Sequence, residues 1–358
     1  AKVGGLISVG DALRSRAYTL RYMDDECDIG HVAGSHLINA DDYGLQAFME
    51  DRLPKMRNPY EDTENFLLDA ELNFHDLPRK LRAALIDFKR NSNIHGALVI
   101  KHLPGDQNLP PTPPDSRRSH EKERFCSEFW LAVFGTAIGD PIAYSQEKDG
   151  EIFQNVCPTA SKATLLSSES SNVLLDFHTE TAFHPFMPDY VLLYCLRPDH
   201  DRTAKTIVAG VRELIHLIPL RYRALLFEDS FQTGVDFSFG SESGLQGNGP
   251  VLPVLHGSPY DPFMKFDLDL MVGLSEDAAA ALEQMRLAAN KAKRWSYLDE
   301  GDMILIDNRR AIHGRSEFEA RYDGRDRWLQ RVYVARDLGI SEADRLRNER
   351  VIHTEFAI

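Results

Sequence analysis

The sequence predicts a mixed α and β protein: a double-stranded β-helix (jelly-roll) core with flanking helices and a mobile lid loop. Three observations predict it. Short strand-like runs dominate the middle of the chain, helical periodicity is confined to segments that flank or interrupt them, and no period of about 20–50 residues repeats, which excludes a solenoid or propeller. The 358 residues are read as one domain, 1–358, with residues 1–60 mixing short apolar patches and charges too irregularly to assign.

Taken in order, clear periodicity begins with Leu77, Leu81, Leu85 and Phe88, an apolar stripe at helical spacing. Gly96 to Ile100 reads as a buried strand, and Leu103 to Asp115, with five prolines, as a loop. A helix is expected from Glu121 to Phe134, with Phe125, Phe129 and Val133 packed into the core. Strands follow at Ile142–Gln146, Ile152–Asn155, Leu174–His178 and Tyr190–Leu196. Leu214 to Phe227 reads as helix broken near Pro219. From Thr233 to Pro250 a polar stretch carries Gly234, Gly240, Gly244, Gly247 and Gly249; so long a glycine-rich loop in a compact domain is expected to be functional, and we read 233–250 as the lid. Met264–Asp269 reads as a strand, Ser275 as the cap of a helix opening on Glu276 and Asp277, and Asp302–Asp307 as a central strand.

Composition narrows the function. A formal charge of −14 disfavours nucleic acid, whose phosphates would be repelled, and mildly favours a cationic small molecule. With 43% hydrophobic residues there is ample material for a core, yet no apolar run approaches the roughly 18–20 residues that span a bilayer. No signal peptide opens the chain. Cys27, Cys126, Cys157 and Cys195 are scattered without a C-x-x-C pair, which argues against a disulfide framework or thiolate metal site and fits a reducing cytoplasm.

The chemistry is carried by Phe177-His178-Thr179-Glu180 and by Asn308 to Arg315, which contains His313. On a strand, residues i and i+2 point the same way, so His178 and Glu180 can present an imidazole and a carboxylate to one point. A later histidine completes the two-His, one-carboxylate set that leaves open positions on non-haem Fe(II). Two histidines and a glutamate also suit a zinc hydrolase, but no motif places a general base. Beyond His313, Arg327, Leu329, Arg331 and Tyr333 would share one strand face, with Trp328, Gln330 and Val332 on the other. Two arginines turned toward a metal need anions to pair with, and a dicarboxylate cosubstrate and an amino-acid carboxylate would supply them. In Phe266-Asp267-Leu268-Asp269-Leu270 the two carboxylates alternate with apolar residues, so both are expected on one strand face. Placed that close they destabilise each other unless a cation lies between them. No further His or carboxylate stands nearby to make this Asp-x-Asp a Ca²⁺ site.

His178-Thr179-Glu180-Thr181-Ala182-Phe183, Pro188-Asp189-Tyr190-Val191, Ile306 to Arg315 and Tyr322 to Leu329 together resemble the clavaminate synthase-like branch of Fe(II)/2-oxoglutarate oxygenases. Within that branch the likeness is to hydroxylases of free L-lysine or L-arginine, and it covers roughly residues 65–335. The resemblance implies the jelly-roll core, Fe(II) on His178, Glu180 and His313, and 2-oxoglutarate and O₂ as cosubstrates. It implies that Arg327, with Thr206 as a hydroxyl partner, holds the distal carboxylate of 2-oxoglutarate. Arg331 would bind the substrate α-carboxylate, Gln146 and Ser168 the amino-acid backbone, and Asp236 and Ser238 in the lid would close over the cationic end beside Asp267 and Asp269. With Glu180 present no metal position is left for chloride, so hydroxylation, at C3 or C4, is expected rather than halogenation. The stretches 109–113, 188–192 and 266–271 stand slightly nearer to lysine than to arginine hydroxylases. A carrier-bound substrate would leave Arg331 without its carboxylate, and a pure amino-acid sensor would have no use for the whole ligand set.

Overall fold

The computed structural model describes residues 27–165, 167–172, 174–240, 245–347 and 349–356. The lid glycine Gly244 and the first 26 residues of the unassigned N-terminal part lie outside the described residues. In chain order the strands are β1 (Leu37–Asn39), β2 (Ala97–Lys101), β3 (Asp140–Tyr144), β4 (Gln154–Val156), β5 (Leu175–His178) and β6 (Tyr190–Arg197). Next come β7 (Lys205–Gly210), β8 (Phe231–Gln232), β9 (Val251–Leu252), β10 (Leu255–Ser258), β11 (Asp261–Met264) and β12 (Val272–Gly273). The last are β13 (Arg294–Tyr297), β14 (Met303–Asp307), β15 (Ala311–Arg315), β16 (Trp328–Ala335) and β17 (Val351–Ile352).

Two sheets position the site. The larger runs β1-β2-β14-β6-β16-β3-β17, with β4 also paired to β16; the smaller runs β13-β7-β15-β5. Strands of the larger sheet are covered on both faces and therefore read as unbroken apolar runs. On β6, Tyr190, Leu192, Tyr194 and Leu196 join the cluster under helices Thr63–Asp76, Arg79–Asn91 and Cys126–Ile138. Val191, Leu193 and Cys195 face inward with Ile304, Ile306, Leu329 and Tyr333. Helix Glu276–Ala292 closes the far side, its Met285, Ala288 and Ala289 packing with Phe177, Ala209 and Ile312 of the smaller sheet. None of the helices among the described residues is long and apolar enough to cross a membrane, and the four cysteines are free.

Most expected elements stand within a few residues of their predicted limits. Ser275 caps its helix by accepting from Ala278 N–H, and Pro219 separates Val211–Leu214 from Leu220–Leu226. Two differ. The helix expected from Glu121 begins at Cys126, because Lys122 turns inward to pair with Asp106 at 3.0 Å and Glu128 at 2.5 Å. Asp106 then caps the helix from a distant loop, its carboxylate accepting from Cys126 and Ser127 N–H. The strand expected over Met264–Asp269 ends at Met264. Asp267 Oδ1 accepts from Asp269 N–H at 3.0 Å and Leu270 N–H at 2.9 Å, folding the chain into a tight turn that replaces the strand.

Glu128 has no solvent exposure. Burial alone would raise its pKa, but the Lys122 charge and hydrogen bonds from Lys122, Gln330 and Tyr60 hold it below the ordinary carboxylate value. Glu128→Ala should therefore cost about 3 kcal/mol of stability, since removing one member of a buried pair strands the other charge. Urea unfolding measures this; a loss under about 1 kcal/mol would mean that Asp106 alone satisfies Lys122.

Candidate active site

β15 lies antiparallel between β5 and β7, and its register sets His313 directly opposite His178. The His178 and His313 rings stand 4.4 Å apart between centroids. Glu180 lies not on the strand but in the turn beyond it, where Thr181 takes a left-handed backbone with φ +49°. Asn308, fully buried just before β15, holds that turn: its Oδ1 accepts from Glu180 N–H at 2.8 Å and its Nδ2 donates to the carbonyls of Glu180 and Pro188. The carboxylate consequently swings back toward the histidines, with Glu180 Oε2 3.4 Å from His313 Nε2. One ligand atom from each of His178, Glu180 and His313 lies within 4.8 Å of the others. His178 Nδ1 donates to the Asp176 carbonyl at 2.9 Å, which fixes the tautomer and leaves the Nε2 lone pair free for a metal. The donor set therefore fits a divalent transition metal bound on one face.

Every site residue singled out from the sequence lines one cavity of about 320 Å³ around these three: Gln146, Ser168, Thr206, Asp236, Ser238, Asp267, Asp269, Arg327 and Arg331. Arg327 stands immediately before β16, 6% exposed, and its Nη2 donates to Thr206 Oγ1 at 3.5 Å. Among the described residues no carboxylate lies within ion-pair distance of it, and burial lowers its pKa. Arg315 lines the same region, and burial followed by the Arg327 charge brings its pKa down to about 9. A guanidinium in that state is stabilised by an anion.

Arg331 is differently placed. It is bonded to Glu147, donates to Gln154 Oε1 at 2.7 and 3.1 Å, and reaches Glu180 Oε1 at 3.4 Å. Tyr333 Oη donates to the same Glu180 oxygen at 2.9 Å. Burial would raise Glu180, but Arg331 and the two histidines hold it far below the ordinary value, so it is ionised. Glu147, by contrast, is pushed up by burial despite Arg331, and its Oε2 has no partner among the described residues. Sequence reasoning missed Glu147, since Gln146 to Gly150 looks like an ordinary polar turn. It quoted Asn308 but assigned it no part.

The acidic end differs from expectation in geometry while keeping its content. Asp267 meets His178 in an isolated bridge and Asp269 sits in the turn that follows, so the two do not share a strand face. Both still face the cavity. Burial, more than the Asp269 charge, raises Asp267 to about 6, and burial with Asp176 raises Asp269. Asp236 is held in its own turn, accepting from Ser238 N–H at 2.8 Å and Ser238 Oγ at 2.5 Å.

A metal triad with a bare buried arginine beside it, enclosed by two sheets, defines a non-haem oxygenase of the 2-oxoglutarate type. Residues 242–333 match the family described as taurine catabolism dioxygenase TauD, TfdA family. The chain is 38% identical over 299 residues to L-lysine 3-hydroxylase of Catenulispora acidiphila, covering 82% of each chain. To clavaminate synthase 2 of Streptomyces clavuligerus it is 35% identical over 282 residues, 78% of this chain and 86% of that one. The solved structure of asparagine oxygenase with Fe(II), 2S,3S-3-hydroxyasparagine and succinate superposes with a TM-score of 0.82 at 31% identity, covering 89% of this chain and 99% of the other. The chain belongs to the clavaminate synthase-like Fe(II)/2-oxoglutarate oxygenases.

His184, six residues beyond His178, supplies a pH test of the site's surroundings. It is 1% exposed, and its Nδ1 accepts from Phe186 N–H at 2.9 Å. Burial, with Lys265 acting the same way against Asp344, lowers its pKa from 6.5 to about 4. The unfolded chain thus binds a proton that the native state refuses. The contribution is present in full above about pH 6.5 and is lost as pH falls toward 4, by at most about 1.4 kcal/mol per pH unit. His184→Asn keeps an acceptor and should flatten the stability–pH curve in that window. Identical slopes for variant and wild type in urea unfolding would assign the effect to other groups.

Proposed function

We propose that the protein is an Fe(II)/2-oxoglutarate-dependent dioxygenase that hydroxylates an unactivated side-chain carbon, C3 or C4, of a free basic L-amino acid, lysine slightly ahead of arginine. The observation that carries this reading is the joint lining of one cavity by an unpaired guanidinium and raised carboxyls around the triad. Arg327, with no carboxylate partner among the described residues, lines the cavity against Thr206 of β7, and the raised carboxyls of Asp267, bridged to His178, and of Asp269 line the same cavity. Similarity to an L-lysine 3-hydroxylase supports it.

In this reading His178, Glu180 and His313 hold Fe(II), and Arg327 with Thr206 holds the distal carboxylate of 2-oxoglutarate. Iron with 2-oxoglutarate and O₂ supplies, when bound, the oxidising power that a C–H bond requires. The chain's residues bind and orient. A zwitterionic amino acid exchanges charges in kind: its carboxylate takes contacts of Arg331 now made by Glu147 and Glu180, and its ammonium takes contacts of those carboxylates now made by Arg331. Gln146 and Ser168 fix the same backbone. Asp267 and Asp269, protonated more readily than ordinary carboxyls, ionise fully against the side-chain cation, with Asp236 and Ser238 arriving from the lid, 233–250. The two-sheet core agrees with a double-stranded β-helix working as one domain, and the free cysteines suit the cytoplasm. The reaction needs no macromolecular partner.

Two outcomes test the assignment. Arg327→Ala should raise the KM for 2-oxoglutarate by about two orders of magnitude, because a charge-assisted fork lost against a buried anion costs about 2–5 kcal/mol. An unchanged KM would move the cosubstrate elsewhere. For the substrate, products from lysine, arginine and norleucine are identified by mass spectrometry in wild type and in Asp267→Asn with Asp269→Asn. The double variant should lose roughly a hundredfold or more in kcat/KM for the basic substrates, at about 1.5–3 kcal/mol per contact, and little for norleucine. A uniform loss would give the aspartates a structural role only, and a wild type inert toward both basic amino acids would sink the substrate class.

A further inference from the structure

The motifs that carry the resemblance end near residue 335, yet the chain after them returns to the site. β17 adds to the edge of the larger sheet, parallel to β3, with Val351 opposite Ala143 and Ile352 opposite Tyr144. Ser145 N–H donates to the Ile352 carbonyl at 3.0 Å, so the pairing extends to the residue before Gln146. Beyond β17 the tail crosses over the cavity wall. Gln146 Nε2 donates to the Thr354 carbonyl while its Oε1 accepts from Ser145 Oγ, which fixes which way the amide faces. Thr354 Oγ1 in turn donates to Asp344, anchoring the tail from outside. Phe356 then packs edge-on against Phe183 at 5.3 Å and Phe239 at 5.9 Å, and those two rings meet each other at 5.0 Å. Phe183 follows the metal-ligand turn. Phe239 ends the short helical turn Phe237–Phe239 that Asp236 and Ser238 build.

We propose that the C-terminal segment Thr354–Phe356 is a positioning element of the substrate pocket, aiming the Gln146 amide and backing the Asp236–Phe239 turn so that both meet the amino acid. This rests on the substrate reading above and extends it to a part of the chain that the family motifs do not reach. Among the described residues, Thr354–Phe356 have no hydrogen bond, ion pair or ring contact to the metal triad or Arg327, so the expected effect falls on the amino acid and spares the cosubstrate.

The test compares wild type with Phe356→Ala and with a chain ending at His353, which keeps β17. In hydrogen exchange without substrate, the amides of Phe239 and Gly240, bonded within the turn, should lose protection in both variants, while Ala143 and Ser145 stay protected. The KM for L-lysine should rise about tenfold, the size of lost aromatic contacts plus one hydrogen bond. The KM for 2-oxoglutarate should stay within about twofold, and succinate formed per hydroxylated product should increase. Unchanged exchange at Phe239 and Gly240 would overturn the proposal, as would parallel rises in both KM values with a lowered Tm, the mark of a purely structural tail. Should wild type leave lysine untouched, the substrate reading fails alone, since the exchange comparison still decides what the tail holds.

Discussion

The site depends on one strand pairing, that of β15 with β5. Antiparallel register places His313 opposite His178, and a slip of one residue would turn one of them out of the cavity. The pairing is irregular just beyond: Arg315 lies opposite Leu175, so two steps on β15 match three on β5. The extra residue falls in the stretch Leu175–His178. It lets Leu175 and His178 both line the cavity although they are three apart, while Phe177 packs outward against the helix Glu276–Ala292. It also turns the Asp176 carbonyl onto His178 Nδ1, which commits the other nitrogen to the metal side. Gly314 permits the approach: a Cβ there would stand 2.5 Å from the Leu175 carbonyl oxygen.

Charge follows from that frame. Three ionised or ionisable groups, Glu180, Glu147 and Arg331, share a space from which water is largely excluded, and none could remain there singly. They are tolerable because each answers another: Arg331 to Glu147 and Glu180, Tyr333 Oη to both carboxylates, Gln154 to the guanidinium. Arg327 lacks such an answer among the described residues, and in this the two arginines differ. Asp267 and Asp269 behave likewise. Their raised pKa values record crowding and burial that a bound cation would relieve.

Much of this was legible in the sequence because the informative signals were local. His178 and Glu180 could be paired from their spacing, and Arg327, Leu329 and Arg331 from strand alternation, which β16 obeys. The spacing argument reached the right convergence by a different route, since Glu180 is turned inward by Asn308, more than a hundred residues away. Asp267 and Asp269 show the opposite failure. Their alternation with apolar residues looked like a strand, but an aspartate can satisfy the next N–H groups itself, and here the side chain outcompetes the ladder. Glu147 and the 354–356 segment were illegible for one reason: nothing in a polar turn or in Thr354-Glu355-Phe356 announces a partner that only tertiary pairing supplies.

How two arginines are kept aimed into the cavity is answered on the reverse face of β16. Trp328 Nε1 donates to Asn155 Oδ1 at 2.9 Å, and Gln330 Nε2 donates to Glu128 at 3.0 Å and to Tyr60 Oη at 3.1 Å. Asn155 is itself tied to the Arg117 carbonyl, and Glu128 to Lys122. The outward residues of the strand are thus locked by a buried polar network before any ligand arrives. Strand geometry transmits that fixity to Arg327, Leu329 and Arg331, because alternate residues cannot rotate independently of their neighbours. A guanidinium held in place in advance loses little entropy when it binds a carboxylate, which is where a preorganised site gains its advantage over a flexible one. The helix Cys126–Ile138, through Glu128, therefore steadies the cavity arginines from the back of one strand.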